Sequence, residues 1–277
     1  GADAGRGGGK TGLVKVSVVS SIPTLISVLV GSFLNDLSYS LTVTSSDRGG
    51  GSSWVVVGAG SSGCVLANRL SSDPGRSVTL LEAGPDLGAG DLLGPLGGPD
   101  FLAALDVTDR TYESLVATRA TAGPSSVYRR GRGVGGSSTV NAMVALRGDP
   151  ELYRSWGWTD ADDAWAAVDL PQEEADDAEL GAVDRALLAS APDAERAELT
   201  RRDGRRITSA EASLWPVLGR DNLTLRVESL VDRVEFDGQR AIGVRLVGGD
   251  TIAADHVVLA AGAIHSPAIL LRSQVDT

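Results

Sequence analysis

The chain has one cysteine, Cys64, and two histidines, His256 and His265, among 277 residues. A single thiol excludes an intramolecular disulfide framework, and three such side chains cannot assemble the usual Cys/His zinc site. A basic balance is also missing: 36 acidic residues against 25 basic ones give a formal net charge of −11, which opposes a phosphate backbone and argues against a nucleic-acid partner. No uninterrupted apolar run of membrane length stands out. What remains, 42% apolar and 22% charged residues, is ordinary globular composition, and the length suits one large domain or two small ones.

The negative charge is local. From Thr159 to Leu199 thirteen acidic residues face only Arg185 and Arg196, so this stretch carries the whole excess and the remainder holds 23 charges of each sign. Such a run reads as a solvated helical face or loop, with a docking surface for a basic partner as the alternative.

The amino end reads as an extension, residues 1–51. Gly1 to Gly9 holds five glycines and is flexible chain in character. Val16 to Asn35 has no charged residue and follows Lys10 and Lys15, in outline a signal peptide or a membrane span. Pro23 and five serines dilute it, so the expectation is a soluble extension in a cytoplasmic protein, with a membrane tether kept as the alternative. The glycines 49–51 then mark a boundary.

From Ser52 the pattern becomes specific. Trp54 to Val57 is a short strand-like run that feeds into Gly58-Ala59-Gly60-Ser61-Ser62-Gly63 and then a helical pattern from Cys64 to Leu70. In a strand–turn–helix of this kind Gly58 permits the turn, Gly60 lets backbone approach a pyrophosphate, and Gly63 lets helix and strand pack closely. The helix amino terminus, with its free N–H groups, favours an anion. A second strand, Ser77 to Leu81, ends at Glu82, nineteen residues beyond Gly63, where a carboxylate suits the hydroxyls of an adenosine ribose and repels a 2′-phosphate. A dinucleotide is therefore the expected ligand, FAD or NAD on these residues alone.

Two further segments point to the same ligand. Tyr128 to Asn141 is rich in glycine, serine and arginine, a chain able to present amides to an anionic, planar group. His256 to Ala263 is a buried strand running into small residues, with Ser266-Pro267 as an N-cap and N1 pair for a helix Ala268 to Arg272. Between them, Leu223 to Ala254 reads as a strand meander, with Asp237-Gly238 and Gly248-Gly249 as hairpin turns between Val231–Phe236, Ala241–Val247 and Thr251–Ala253.

In these residues the chain resembles the glucose-methanol-choline (GMC) family of FAD-dependent oxidoreductases. The likeness is carried by Val57 to Leu70 with Leu-Leu-Glu-Ala-Gly at 80–84, by Gly131 to Gly148, which fits the first family signature, and by Ala-Gly-Ala-Ile-His-Ser-Pro at 261–267, which begins the second. A narrower similarity is to actinobacterial members linked to the peptide-derived cofactor mycofactocin. The resemblance implies an α/β fold: a Rossmann-like, glutathione-reductase-type FAD domain with a β-meander, made of residues 52–150 and 223–277, and a partial, acidic substrate-domain segment at 151–222. It implies FAD, with Gly58, Gly60, Ser61, Ser62 and Gly63 at the pyrophosphate, Glu82 and Ala83 at the ribose, and Val231 near the adenine. Gly135, Gly136, Asn141, Ala142, Met143 and Val144 pass beside the flavin ring, and Ala261 and Gly262 also touch the cofactor. No metal is implied.

The implied activity is oxidation of a small-molecule alcohol. The histidine that handles the hydroxyl proton in this family belongs to a carboxyl-terminal segment beyond Thr277, so no catalytic residue can be named here. His256 and His265 are expected to be structural, hydrogen-bonded to backbone, with His265 at a position commonly held by Asn. The second signature also departs at Gln274-Val275-Asp276, where a Gly-aliphatic-Gly turn is usual. Three readings follow: an FAD-dependent alcohol dehydrogenase or oxidase completed by a C-terminal chain, a non-catalytic FAD-binding module, and a membrane-tethered electron-transfer subunit. The alcohol, the electron acceptor and the oligomeric state are not encoded in any motif.

Overall fold

A computed structural model describes residues 14–15, 40–41, 51–118, 120, 123–158, 161–167, 170–191 and 194–275. The Gly1–Gly9 stretch and the Val16–Asn35 stretch lie outside the described residues; Val14–Lys15 and Ser40–Leu41 pair as a two-stranded antiparallel ribbon.

The centre is a four-stranded parallel sheet. Strand β1 (Ser52–Val57) leads through the glycine turn into helix α1 (Ser61–Ser71), which returns to β2 (Arg76–Leu81) beside β1. The outer positions are taken by β3 (Leu223–Arg226), paired parallel to β2, and β7 (His256–Leu259), paired parallel to β1, giving the order β3-β2-β1-β7. Between β3 and β7 runs an antiparallel meander of β4 (Val231–Asp237), β5 (Arg240–Leu246) and β6 (Thr251–Ala253), joined by the two hairpins read from the sequence. The first residues of that region are the exception. Leu223–Arg226 leaves the meander and joins the parallel sheet, a choice of partner that depends on β2, some 140 residues earlier, and not on any local turn signal.

Both faces of the sheet are covered, and the pleat shows it. Val56, Val78 and Leu80 share a core with Cys64 and Ala67 of α1, whereas Val55, Val57 and Leu81 share another with Val234, Val244 and Ile269. Successive β1 side chains thus alternate between two interiors, as a strand buried on both sides requires. Each fully buried aliphatic side chain contributes about 1.5–3 kcal/mol over its exposed state. Helix α1 can approach the sheet because its buried positions Gly63, Cys64, Ala67 and Ser71 are all small and lie on one face.

The chain turns from β7 into α2 (Gly262–Arg272), which packs on β4. This helix begins four residues before the Ser266-Pro267 pair that the sequence suggests as its start. Gly262, at φ +81°, lets the strand turn directly into the helix, and Ser266 and Pro267 then fall inside it, with Ser266 fully buried. The capping signal is real chemistry at the wrong place: tertiary packing overrides it.

The 151–222 segment carries short elements only. Helices Pro150–Ser155, Ala161–Ala167 and Ala182–Ser190 accompany a small sheet in which Glu198–Leu199 pairs with both Val144–Ala145 and Glu173–Glu174. Its acidic run is held by several arginines, Arg147 at Asp162 and Arg196 at Asp177 among them, and most firmly by a buried one. Arg201, buried, donates from Nη1 and Nη2 to the two carboxylate oxygens of Glu179 at 2.7 and 2.8 Å and from Nη2 to the Glu174 carbonyl at 2.8 Å. Arg201 holds the Glu179 carboxyl down at about 2.

Candidate functional site

The carboxyl ends of β1, β2 and β7 stop in register, Val57 opposite both Leu81 and Leu259. The next residues of each strand therefore emerge together, and between them lies a cleft lined by Gly58, Gly60, Ser61, Ser62, Glu82, Ala83, Gly131, Gly136, Ser137, Val231, Ala261 and Gly262, with Tyr112, Arg130, His265 and Arg272 on its further walls. A crevice outside the carboxyl ends of parallel strands is where an open α/β sheet takes its ligand.

The glycine turn is built by exclusion of side chains. A Cβ on Gly63 would lie 1.8 Å from the carbonyl oxygen of Gly58, so the first turn of α1 can sit on the strand end only without one. Gly60, by contrast, faces open space: a Cβ there meets nothing nearer than the Gly136 Cα at 3.7 Å. Helix α1 has no side-chain cap and no acidic residue in its first turn. Its positive dipole end is thus directed at the cleft, an arrangement worth about 0.3–1 kcal/mol toward an anion, and more where solvent is excluded.

Glu82 is buried at the tip of β2 and does more than line the cleft. Oε2 accepts the Ala59 N–H at 2.9 Å, and Oε1 accepts those of Gly84 at 2.9 Å and Gly133 at 3.0 Å. One carboxylate therefore ties together the first glycine turn, its own strand end and the 128–141 loop. A second tie runs alongside, from the Gly135 N–H to the Ala59 carbonyl at 2.8 Å. Gly136, at φ +53°, crosses Gly60 so closely that a Cβ would come within 2.6 Å of its Cα. The two glycine segments, which cross at Gly60 and Gly136, are one structural unit.

The remaining residues singled out from the sequence divide into two groups. Gly63 and Gly135 shape the cleft from behind. Asn141, Ala142, Met143 and Val144 lie beyond its Gly136–Ser137 end on the continuation of the same loop, where Met143 is buried at φ +62° and Val144 pairs with Leu199. Asn141 Oδ1 accepts the Met143 N–H at 3.1 Å and so supports that left-handed conformation.

The histidines differ from their expected roles. His256, at the far end of β7 from the cleft, stacks on Trp54 with ring centroids 3.9 Å apart. His265 lies in the cleft wall against Tyr112, centroids 4.5 Å apart, and its Nε2 is buried with no hydrogen-bond partner among the described residues. Among the described residues neither has the backbone partner expected; aromatic packing positions both. Burial lowers the pKa of His265, and burial followed by the Glu82 charge pushes the Tyr112 hydroxyl up to about 12, so both rings present themselves uncharged near neutral pH. Cys64, behind the turn, is also taken out of play: burial pushes its thiol up to about 12.

The sequence reading missed the buttress behind the loop. Ser209 donates its backbone N–H to Ser138 Oγ at 3.0 Å, and Arg206 donates from Nη1 to the Ser138 carbonyl at 3.1 Å and to Asn141 Oδ1 at 2.8 Å. An arginine and a serine in an otherwise unremarkable stretch carry no local signal of this role.

Comparison with known proteins follows the same segments. The family model described as GMC oxidoreductase matches residues 52–179 and 189–277. Among relatives, a pyridoxine 4-oxidase of Microbacterium luteolum is 30% identical over 266 residues, covering 79% of this chain and 51% of its own length. The mitochondrial choline dehydrogenase of Homo sapiens is 36% identical over 270 residues, covering 80% and 45%. Among solved structures, a pyridoxine 4-oxidase from Mesorbium loti superposes with a TM-score of 0.69 at 29% identity, covering 80% of this chain and 52% of that one. An FAD-dependent oxidoreductase from Chaetomium thermophilum shares the fold, with a TM-score of 0.65 at 22% identity. The chain spans about half the length of the relatives it matches.

Proposed function

Because this chain belongs to the GMC oxidoreductase family, we propose that it is the FAD-binding part of an oxidoreductase that acts on the CH–OH group of a small-molecule alcohol. The observation that carries the reading is the Glu82 junction, which brings the glycine turn, the second loop and an uncapped helix end to one cleft.

The residues fit the cofactor. The α1 amino terminus, with Gly58, Gly60, Ser61 and Ser62, would hold the diphosphate, and the space in front of Gly60 is what close approach of that group needs. Glu82 already accepts three N–H groups; a carboxylate has about four lone-pair sites, leaving one for a ribose hydroxyl. Val231 borders the adenine end, and the segment from Gly135 to Val144 carries the ring. Bound FAD would supply the acceptor for the hydride that leaves the alcohol carbon. The chain itself binds and orients. Its histidines are held by aromatic rings: His256 is at the opposite strand end, on Trp54, and His265 packs on Tyr112 in the cleft wall. Neither is therefore assigned as the general base for the hydroxyl proton, which we propose is supplied by a complementing chain.

The test is a visible spectrum of the purified chain with added FAD, followed by anaerobic addition of an alcohol panel. The expected outcome is stoichiometric uptake of FAD, no bleaching by alcohols alone, and bleaching once the C-terminal half is added. Failure to take up FAD overturns the proposal. Uptake with no bleaching even in the completed protein favours the second reading, a non-catalytic FAD module.

A further inference from the structure

Arg206 is fully buried and has no carboxylate within ion-pair distance among the described residues. Its Nη1 is engaged by Ser138 and Asn141, whereas Nε and Nη2 have no hydrogen-bond partner among the described residues. Burial lowers its pKa to about 10, which still leaves the guanidinium charged at neutral pH. A buried charge without a counter-ion is costly, and mere scaffolding would be served better by a neutral side chain.

The geometry at Asn141 shows what the charge can be for. Two N–H groups converge on one end of the carboxamide, that of Met143 at 3.1 Å and that of Arg206 Nη1 at 2.8 Å. Only the oxygen can satisfy both, so the amide orientation is fixed by chemistry. The opposite end, Nδ2, is therefore the one presented away from the clamp, and no protein acceptor takes it among the described residues. Asn141 is only half-buried, on the loop continuing from the cleft.

We infer that Arg206 is a positioning residue: by gripping Asn141 Oδ1 it turns the Nδ2 group outward as a hydrogen-bond donor to an acceptor atom of the bound flavin ring, and its own charge, held behind the loop, favours the electron-rich reduced state of that ring. This rests on the reading that FAD binds with its ring beside residues 141–144. The polarity is consistent throughout. A donor and a positive charge both stabilise negative charge that develops on the ring.

The experiment compares wild type, Asn141→Asp, Arg206→Lys and Arg206→Gln for FAD affinity and for the reduction potential of the bound flavin. Asn141→Asp keeps the oxygen that Arg206 and Met143 need and removes the outward donor; it should weaken FAD binding about tenfold, the value of one hydrogen bond of this strength, and make the potential more negative. Arg206→Gln should also make the potential more negative, and Arg206→Lys, which keeps the charge, should restore much of it. Potentials equal to wild type in both Asn141→Asp and Arg206→Gln would overturn the inference, even if Arg206→Gln melts earlier. If Arg206→Gln does not fold, Asn141→Asp and Arg206→Lys decide. If the wild-type chain takes up no FAD, the cofactor reading and the flavin contact fall together. The clamp is then judged in the apoprotein by the Asn141 side-chain amide resonances: they should move in Arg206→Lys, and unchanged resonances would overturn that part.

Discussion

Glu82 accepts the backbone N–H of Gly133, fifty-one positions further along the chain, at 3.0 Å, and the same carboxylate holds the N–H of Ala59. A residue expected to serve a ribose is thus also the fastener of the cleft. Glu82→Gln would set a side-chain amide against backbone N–H donors at one of these positions. The expected cost is about 1–3 kcal/mol, the penalty of a buried donor left unsatisfied, together with at least a tenfold loss of FAD affinity. Thermal melting and FAD titration of the same variant check both.

The two glycines of the turn should separate folding from binding. Gly63→Ala places a methyl 1.8 Å from the Gly58 carbonyl and cannot be relieved by a side-chain movement, so it should yield little folded protein. Gly60→Ala meets only the Gly136 Cα at 3.7 Å; the variant should fold, melt near wild type, and lose FAD uptake because the methyl occupies the approach. Circular dichroism with flavin titration distinguishes them. Equal damage to folding in both would contradict the packing described.

Cys64 should be silent toward thiol reagents in the folded protein, since it is buried and its thiol lies at about 12. Labelling by a chromogenic disulfide should appear only with denaturant, in step with unfolding. Rapid labelling of native protein would mean that α1 opens away from the sheet.

The Arg201–Glu179 pair predicts an acid dependence. The Glu179 carboxyl lies lower in the folded protein, at about 2, than its ordinary value of 4.5, so its contribution is present above about pH 4.5 and is lost as pH falls toward 2. Glu179→Gln should therefore narrow the gap in melting temperature between pH 6 and pH 3 relative to wild type. An unchanged gap would show that the pair does not hold the acidic segment.

The parts of this molecule legible in the sequence are those whose causes are local. The apolar run Trp54–Val57, the glycine spacing and the helical pattern after it specify β1, the turn and α1 within twenty residues, and the Asp237-Gly238 and Gly248-Gly249 hairpins specify the meander. What was not legible depends on distant partners. Leu223–Arg226 pairs with β2 instead of the adjacent β4, α2 begins at Gly262 because its packing on β4 outweighs the Ser-Pro cap signal, and Arg206 becomes a loop clamp only when Ser138 and Asn141 fold against it. In the site, glycine motifs announced the cradle; the aromatic seat of His265 on Tyr112, 153 positions away, had no announcement.

The alternation of Val55, Val56 and Val57 between two interiors has a consequence for how this protein can change over time. Gaining or losing a single codon within β1 would present every following side chain to the opposite layer and carry Gly58 out of step with Glu82, spoiling both halves of the domain and the ligand groove at once. Substitutions of similar bulk can accumulate there; indels cannot, and length variation among natural variants should collect in the short elements between 151 and 222.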